Sequence, residues 1–357
     1  MPLATSYDLT DRPSERGARE SLDNTLRRTE VEQTPLFSLL GRGPKAQAML
    51  TEFLVDDLDV PSFDGVVDGK ALAFAGGFND KTAGRARLSA RVQQFEKTHS
   101  VSPQAQAVNV AGPSDLYGSS KTRSLLELKR DIESCLGSDR DSRVGTSLVG
   151  DRMAGLGAWT NPANATIYSD AGKQAYRSLQ SSRFDLSTLG AGGAFTEDNF
   201  RALLQGVYEG HGNATSYKLI AGPSLINEIA DMTRVNNTSS RQLTQNVGDG
   251  VLRLSVTEYI SDWGRVFVVP SLLLGMDSGF PFGQIEDPDN AGAGLASNQQ
   301  RNRGYLIPAD NHISLRFLED IKAVDFEDTD GGGQRGMCRA MLTMTPTAGG
   351  KPLGSVI

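Results

Sequence analysis

The fold expected for this chain is decided by the stretch SLLELKRDIESCLG at residues 124–137. Its apolar side chains recur at spacings of three and four residues, which places them on one face of an α-helix. Lys129 and Glu133 stand four residues apart and are expected to pair on the polar side. Gly137 follows where a C-terminal cap belongs. The pattern predicts one long helix over residues 113–137. Its apolar stripe consists of Leu125, Leu128, Ile132, Cys135 and Leu136.

N-terminal to this helix, residues 51–111 have the pattern of a long β-hairpin. An apolar stretch at residues 53–55 begins one strand, and several glycines follow it up to Gly84. From residue 87 onward, apolar and polar residues alternate as in a half-buried strand. The apolar face of this returning strand carries Leu88, Ala90 and Val92.

The hairpin carries side chains that its own stretch of sequence cannot cover. A hairpin alone is only marginally stable in water, so it must lie on its own domain or on another chain. The arginines of the returning strand are separated by even steps and therefore share one face. We expect the apolar face to pack on a neighbouring subunit and the arginines to meet carboxylates there. The candidate contact residues are Arg85, Arg87 and Arg91 on the strand, and Leu72, Phe74 and Phe78 at the tip.

Residues 1–50 have the composition of an arm, because charged residues are dense and apolar residues are sparse. A short helix is predicted over residues 19–29. An apolar patch follows it, and its residues Leu36 and Phe37 are further candidates for self-association. The alternative is a frayed terminus, since chain ends are loosely held unless they dock.

The remainder of the chain mixes helices with antiparallel strands, which predicts the α+β class. Residues 138–195 are rich in Gly and Ser and are expected to form long loops. Helices are predicted from Thr196 to Gly210 and from Pro223. Strands are predicted at residues 217–221, at 305–307, at 313–327, at 335–345, and as a hairpin over 251–270.

Composition excludes several classes of protein. The 357 residues include 36 basic and 43 acidic side chains, a net charge of −7. This balance argues against a protein that wraps DNA, since phosphate binding needs a basic surface. No apolar run approaches the roughly 18 residues of a membrane helix, and the N-terminal residues lack the pattern of a signal peptide. Cys135 and Cys338 are the only cysteines, which fits a reducing cytosol, and Cys135 is expected to be a core residue.

No motif for catalysis or cofactor binding is found. His99, His211 and His312 are isolated from other potential zinc ligands. The sequence contains no nucleophile elbow, no phosphate-binding P-loop and no dinucleotide fingerprint. Two acidic turns, at residues 286–290 and 327–331, do not match a calcium-binding loop and are interpreted as ordinary turns. We therefore expect no enzyme activity, no cofactor and no metal, and a protein whose function is contact with copies of itself.

The order of these parts resembles the Hong Kong 97-type major capsid proteins of tailed bacteriophages. An arm, an extended hairpin loop, a long spine helix and an α+β domain follow one another in that fold. The local patterns that carry the resemblance are short, and they occur in the same order. They lie at residues 18–23 and 33–41, at 87–102, at 126–133, at 155–161 and at 259–269.

The resemblance implies a division of the chain into four parts. These are an N-terminal arm at 1–50, an extended loop (E-loop) at 51–111, a peripheral domain with the spine helix at 112–195 and 321–357, and an axial domain at 196–320. It also implies pentamers and hexamers that enclose double-stranded DNA in an icosahedral shell, with no membrane. Expected partners are a portal protein and scaffolding or decoration proteins. The protein would be made in the bacterial cytoplasm and reside in the virion.

Two other functions are compatible with the sequence. An encapsulin-like compartment shares the fold but encloses cargo enzymes, so a cargo site inside the shell would identify it. A hydrolase with a site assembled from distant residues would show a deep pocket with perturbed acid and base groups.

Overall fold

The computed structural model confirms the α+β class, with helices and strands in mixed order. It describes residues 33–58, 61, 63, 65, 67–69, 85–108, 115–186, 195–211, 215–235, 257–275, 303–310, 312–326 and 333–357. The helices are α1 (Pro35–Leu39), α2 (Pro103–Ala107), α3 (Leu116–Leu136), α4 (Leu156–Trp159), α5 (Ala171–Gln174), α6 (Glu197–His211) and α7 (Pro223–Val235). The strands are β1 (Gly41–Arg42), β2 (Leu50–Val55), β3 (Ala86–Arg91), β4 (Gln93–Val101), β5 (Arg183–Phe184), β6 (Ser216–Ala221), β7 (Glu258–Ser261), β8 (Gly264–Pro270), β9 (Gly304–Pro308), β10 (Ile313–Phe326), β11 (Gln334–Pro346) and β12 (Gly354–Val356).

The long helix α3 confirms the central prediction. Asp115 caps its N-terminus, where the side-chain Oδ1 accepts a hydrogen bond from the Gly118 amide at 2.9 Å. Gly137 caps the other end. Three residues of the predicted stripe are fully buried, and Leu125 and Cys135 pack against the same core while remaining partly exposed. The buried three are Leu128, Ile132 and Leu136.

The predicted pair of Lys129 and Glu133 is wrong. The Glu133 side chain is completely buried, and it accepts hydrogen bonds from the segment at residues 36–37. Glu133 lies at the edge of the apolar stripe, so an element packed on the stripe also covers the carboxylate. Spacing within a helix reveals which residues share a face, but it does not reveal what docks on that face.

One core lies between α3 and a four-stranded sheet. The strand order is β1-β10-β11-β4, with β1 parallel to β10 and the other pairs antiparallel. Helix α3 packs across β4 and β11. This core also includes the fully buried Trp159, which lies in the segment predicted to be loops. The described part of this segment, residues 138–186, consists mainly of turns and short helices, as predicted, together with the two-residue strand β5.

A second core lies between α6, α7 and a six-stranded sheet with the order β5-β12-β9-β6-β8-β7. Strands β7 and β8 confirm the predicted hairpin from Glu258 onward, whereas residues 251–256 lie outside the described residues. In the turn between the two strands, Gly264 adopts a positive φ of 135°, which favours glycine. The two cores meet at α3, where the Tyr305 hydroxyl donates a hydrogen bond to the Gly137 carbonyl at 2.9 Å.

Strand pairing differs from the predicted division of the chain at three places. The implied division places the C-terminal strand β12 in the peripheral domain with the spine helix. In the structure β12 pairs with β9 and β5 in the six-stranded sheet. Strand β5 was grouped in the same way and belongs to that sheet too. Strand β10 starts at Ile313, so residues 313–320 lie in the four-stranded sheet beside α3 and not with the axial part. These pairings join strands that are distant in the sequence, and local sequence patterns do not encode such contacts.

The base of the predicted hairpin is formed by β2 and β3, which pair in antiparallel register. Leu88 and Ala90 are buried in the chain's own core, and Val92 is buried directly after β3. The expectation that this apolar face packs on a neighbouring subunit is therefore wrong. Helix α5 and strand β11, which contact β3, lie far from the hairpin in sequence, so local patterns did not reveal them.

Candidate self-assembly surfaces

The hairpin base presents one face to solvent, which we call the outward face. It is defined by Leu50, Glu52 and Leu54 of β2, by Arg87, Ser89 and Arg91 of β3, and by Arg85, which directly precedes β3. Paired residues of antiparallel strands project to the same side of the sheet, and Leu54 pairs with Arg87 while Leu50 pairs with Arg91. The Leu54 side chain is 66% exposed, so this face carries apolar as well as charged side chains.

The three candidate arginines form ion pairs within the chain. The Arg85 Nε lies 3.0 Å from the Asp56 carboxylate, and the Arg87 Nη1 lies 3.3 Å from that of Glu52. Both arginines are about half exposed or more, at 48% and 66%. Such exposed pairs contribute little to stability. Within the chain, Arg85 and Arg87 thus already have carboxylate partners, and their meeting carboxylates of a neighbour remains a prediction.

Arg91 differs from the other two arginines. Its Nη1 lies 3.0 Å from Oδ1 of Asp151, and its side chain is only 21% exposed. Asp151 belongs to the loop that follows the spine helix, so this pair connects the hairpin to a distant segment. Because the pair is less solvated than the others, we expect it to contribute more to stability.

Beyond the hairpin base, the described residues of the loop include several exposed apolar side chains among acidic ones. Leu58, Phe63 and Val67 are among the most exposed large apolar side chains of the described residues. The predicted tip residues Leu72, Phe74 and Phe78 lie outside the described residues. A run of exposed apolar residues is a typical feature of a contact surface.

The arm candidates are placed differently from the hairpin candidates. Leu36 in α1 is completely buried in the chain's own core, so its side chain is not available to another subunit. Phe37 is partly buried and packs edge-on against Phe317, with ring centroids 6.5 Å apart. The predicted helix at residues 19–29 lies outside the described residues.

Glu133 holds the base of the arm, a role that the sequence did not reveal. Its Oε1 accepts a hydrogen bond from the Leu36 amide at 2.8 Å, and its Oε2 accepts one from the Phe37 amide at 2.6 Å. The Ser271 hydroxyl donates to Oε1 at 3.5 Å. The amides at the start of a helix have no partner within it, so the carboxylate serves as their cap. Burial raises the pKa of Glu133, and these hydrogen bonds oppose the shift.

The raised pKa predicts how Glu133 affects stability as the pH changes. Between the unfolded value of about 4.3 and the raised folded value, the native state binds more protons than the unfolded state. The contribution of Glu133 to stability should therefore fall as pH rises through this window. We expect the free energy of unfolding of the wild type, minus that of Glu133→Gln, to decrease as pH rises from 4 to 7. Urea denaturation across this range measures the difference, and a difference that grows with pH would contradict the prediction.

The cysteine and histidine environments are those of packed side chains. Burial raises the pKa of Cys135 to about 11, which disfavours the reactive thiolate. Cys338 is buried, and burial raises its pKa too. His99 is buried in β4 beside Tyr117, and burial lowers its pKa. Within the described residues, no group of three or more potential metal ligands is found.

Two further observations concern membrane-spanning helices and the two acidic turns. None of the helices in the described ranges is long and apolar enough to cross a membrane. The two acidic turns at residues 286–290 and 327–331 fall outside the described residues.

Comparison with solved structures confirms the fold. The cyanophage A-1(L) capsid matches over 96% of this chain and 97% of its own, with a TM-score of 0.62 and 14% identity. The capsid of a native GTA particle matches over 95% and 94%, with a TM-score of 0.56 and 11% identity. The SrpI encapsulin of Synechococcus elongatus PCC 7942 matches over 95% and 91%, with a TM-score of 0.53 and 11% identity. At these identities the similarity establishes the Hong Kong 97-like fold alone.

The family of the chain follows from its sequence. No curated protein sequence is significantly similar to it. The family model described as SU10 major capsid protein matches residues 4–345, which is nearly the whole chain. This match separates a phage capsid protein from the encapsulins that share the fold, and it does not support the hydrolase alternative. The chain therefore belongs to the SU10 major capsid protein family, as a non-enzymatic structural protein of the tailed-phage head.

Proposed function

We propose that this capsid protein assembles as pentamers and hexamers into an icosahedral shell around double-stranded DNA. Self-assembly follows from the family. The net charge of −7 supports a container that does not clamp its DNA tightly. The proposed partners are a portal protein and scaffolding or decoration proteins. Synthesis in the bacterial cytoplasm is part of the same proposal.

The four-part division of the chain remains part of this proposal. The arm is residues 1–50, the E-loop is 51–111, the axial domain is 196–320, and the peripheral domain is 112–195 with 321–357. Strand pairing supports an amended boundary, in which β5 and β12 join the axial part and β10 joins the peripheral part from Ile313.

The outward face and the E-loop tip are the proposed contact with a neighbouring subunit. The observation that carries this proposal is that the inner face of β3 is used by the chain's own core. The outward face is thus the side of the hairpin base that a neighbour can reach. It combines Leu54 with Arg85 and Arg87, and the tip adds Leu72, Phe74 and Phe78. Phe37 is the remaining arm candidate, whereas Leu36 is excluded by its burial.

Charge reversal on the outward face should prevent assembly and leave folding intact. We choose Arg85→Glu with Arg87→Glu, because both side chains are exposed and their ion pairs contribute only about 0.2–1 kcal/mol each. A shell repeats the contact in every subunit, so the reversed charges would introduce electrostatic repulsion at every copy of the interface. We expect unchanged circular dichroism but little or no shell formation, with a stronger effect at low salt. Sedimentation velocity and negative-stain microscopy measure assembly.

A matched control and a deletion complete this experiment. Arg85→Lys with Arg87→Lys keeps the charge and should assemble as the wild type does. Deleting residues 61–84 should give folded subunits or capsomers without closed shells. Normal shells from both the reversed and the deleted variants would refute the proposed contact. A wild type that remains a monomer near 38 kDa at micromolar concentration would refute the assembly itself.

A further inference from the structure

The loop at residues 143–152, which follows the spine helix, is folded into a compact turn. The backbone amides and carbonyls of Arg143 and Arg152 form two mutual hydrogen bonds of 3.1 Å, which close its base. Near its tip, the Thr146 amide donates to the Val149 carbonyl at 2.7 Å. The loop therefore has paired backbone groups at both ends and is not an open connection.

Side chains hold the same loop in one shape. The Thr146 hydroxyl oxygen accepts hydrogen bonds from the Leu148 and Val149 amides, each at 3.3 Å. The Asp151 carboxylate accepts one from the Gly145 amide at 2.9 Å and also pairs with Arg91 of the hairpin. These bonds restrict the loop before any partner binds, which lowers the entropic cost of an interface.

This ordered loop exposes apolar side chains at its tip. Leu148 is 93% exposed, Val144 is 65% exposed and Val149 is also exposed. A single exposed apolar side chain needs no explanation, but three within six residues form a patch. An ordered turn that projects a leucine into water gains no folding energy from that leucine. The arrangement is typical of a side chain that is buried in a complex.

We propose that the 143–152 loop is a second self-association element, and that Leu148 inserts into an apolar surface of a neighbouring copy of this chain. This inference rests on the proposed function. The neighbouring copy is the partner because Arg91 and Asp151 join the loop to the outward face of the hairpin. This pair places the loop beside the outward face, so a subunit docked on the hairpin base would also meet the loop.

Labelling of an introduced cysteine tests this contact directly. Leu148→Cys introduces an exposed thiol, whereas Cys135 has a pKa of about 11 and Cys338 is buried. We expect a maleimide to label the variant readily before assembly and at least about tenfold more slowly in shells, since interface burial excludes the reagent. The wild type provides the background rate. Equal labelling rates in subunits and shells would overturn the proposal.

A second variant measures the contribution of the leucine to assembly. Leu148→Asp should leave the melting temperature unchanged, because the side chain has no contact to lose, and should reduce shell yield by about tenfold or more. Ser147→Asp is the matched control, since it adds the same charge one residue away and keeps the leucine. Equal shell yields from the two variants would overturn the role of Leu148. A wild type that forms no shells would instead reject the proposed function, and this inference with it.

Discussion

Replacing Trp159 with alanine should lower the free energy of unfolding by about 3–5 kcal/mol. Trp159 is completely buried. It is the largest side chain of the core between α3 and the four-stranded sheet, which we call the main core. Its ring lies 6.3 Å from that of Phe53 in the hairpin and 6.4 Å from that of Tyr168. The loss would remove a contact between the hairpin and the segment after the spine helix. This loss is a large fraction of a typical total stability of about 5–15 kcal/mol.

Trp159→Phe is the matched control for this substitution. The indole Nε1 has no hydrogen-bond partner within the described residues, so phenylalanine would lose volume without breaking a hydrogen bond. We expect its cost to be well below that of alanine. Urea denaturation of unassembled subunits measures both values. Equal losses for the two variants would contradict the assignment of this energy to the packed volume of the side chain.

Leu128→Asp should prevent folding of the subunit. Leu128 is completely buried in the middle of α3, between the four-stranded sheet and the rest of the main core. A carboxylate there would lose its hydration without a prepared partner, at a cost of several kcal/mol. The lost leucine packing adds about 2–5 kcal/mol. We expect insoluble or unfolded protein, as measured by circular dichroism and by the soluble fraction.

Arg123→Ala provides the comparison on the same helix. Its side chain is 71% exposed and pairs with Glu127 four residues later, a contact of about 0.3–0.5 kcal/mol. This variant should fold and assemble normally. Soluble, fully assembled Leu128→Asp protein would mean that α3 does not pack as described.

The periodic patterns were reliable where one segment supplied enough information. The stripe on α3 correctly predicted a long helix with Leu128 and Ile132 in the core. The alternation after residue 87 correctly separated buried Leu88 from exposed Arg87. Both predictions depend on the geometry of a single helix or strand, which repeats every 3.6 or 2 residues.

The sequence was not sufficient where a residue's environment comes from elsewhere in the chain. Spacing assigned Glu133 to the solvent side, but the arm base, almost a hundred residues earlier, covers it and uses its carboxylate. Proximity assigned Leu36 and the inner face of β3 to a neighbouring subunit, but both lie in the chain's own core. Residues 143–152 likewise stand out in the sequence only as part of a Gly- and Ser-rich stretch, which does not reveal that they form an ordered loop.

By itself, the sequence determined the α+β class, the order of arm, hairpin, spine helix and mixed domain, and the capsid family that this order resembles. These properties follow from local periodicity and from the sequence of elements along the chain. Only the tertiary structure decided which surfaces remain for a neighbour, because burial depends on contacts between distant segments. It assigned the inner face of the hairpin to the subunit and left the outward face, with Leu54 and Arg87, in solvent. The same contacts joined Arg91 to Asp151 and so brought the Leu148 loop to that surface.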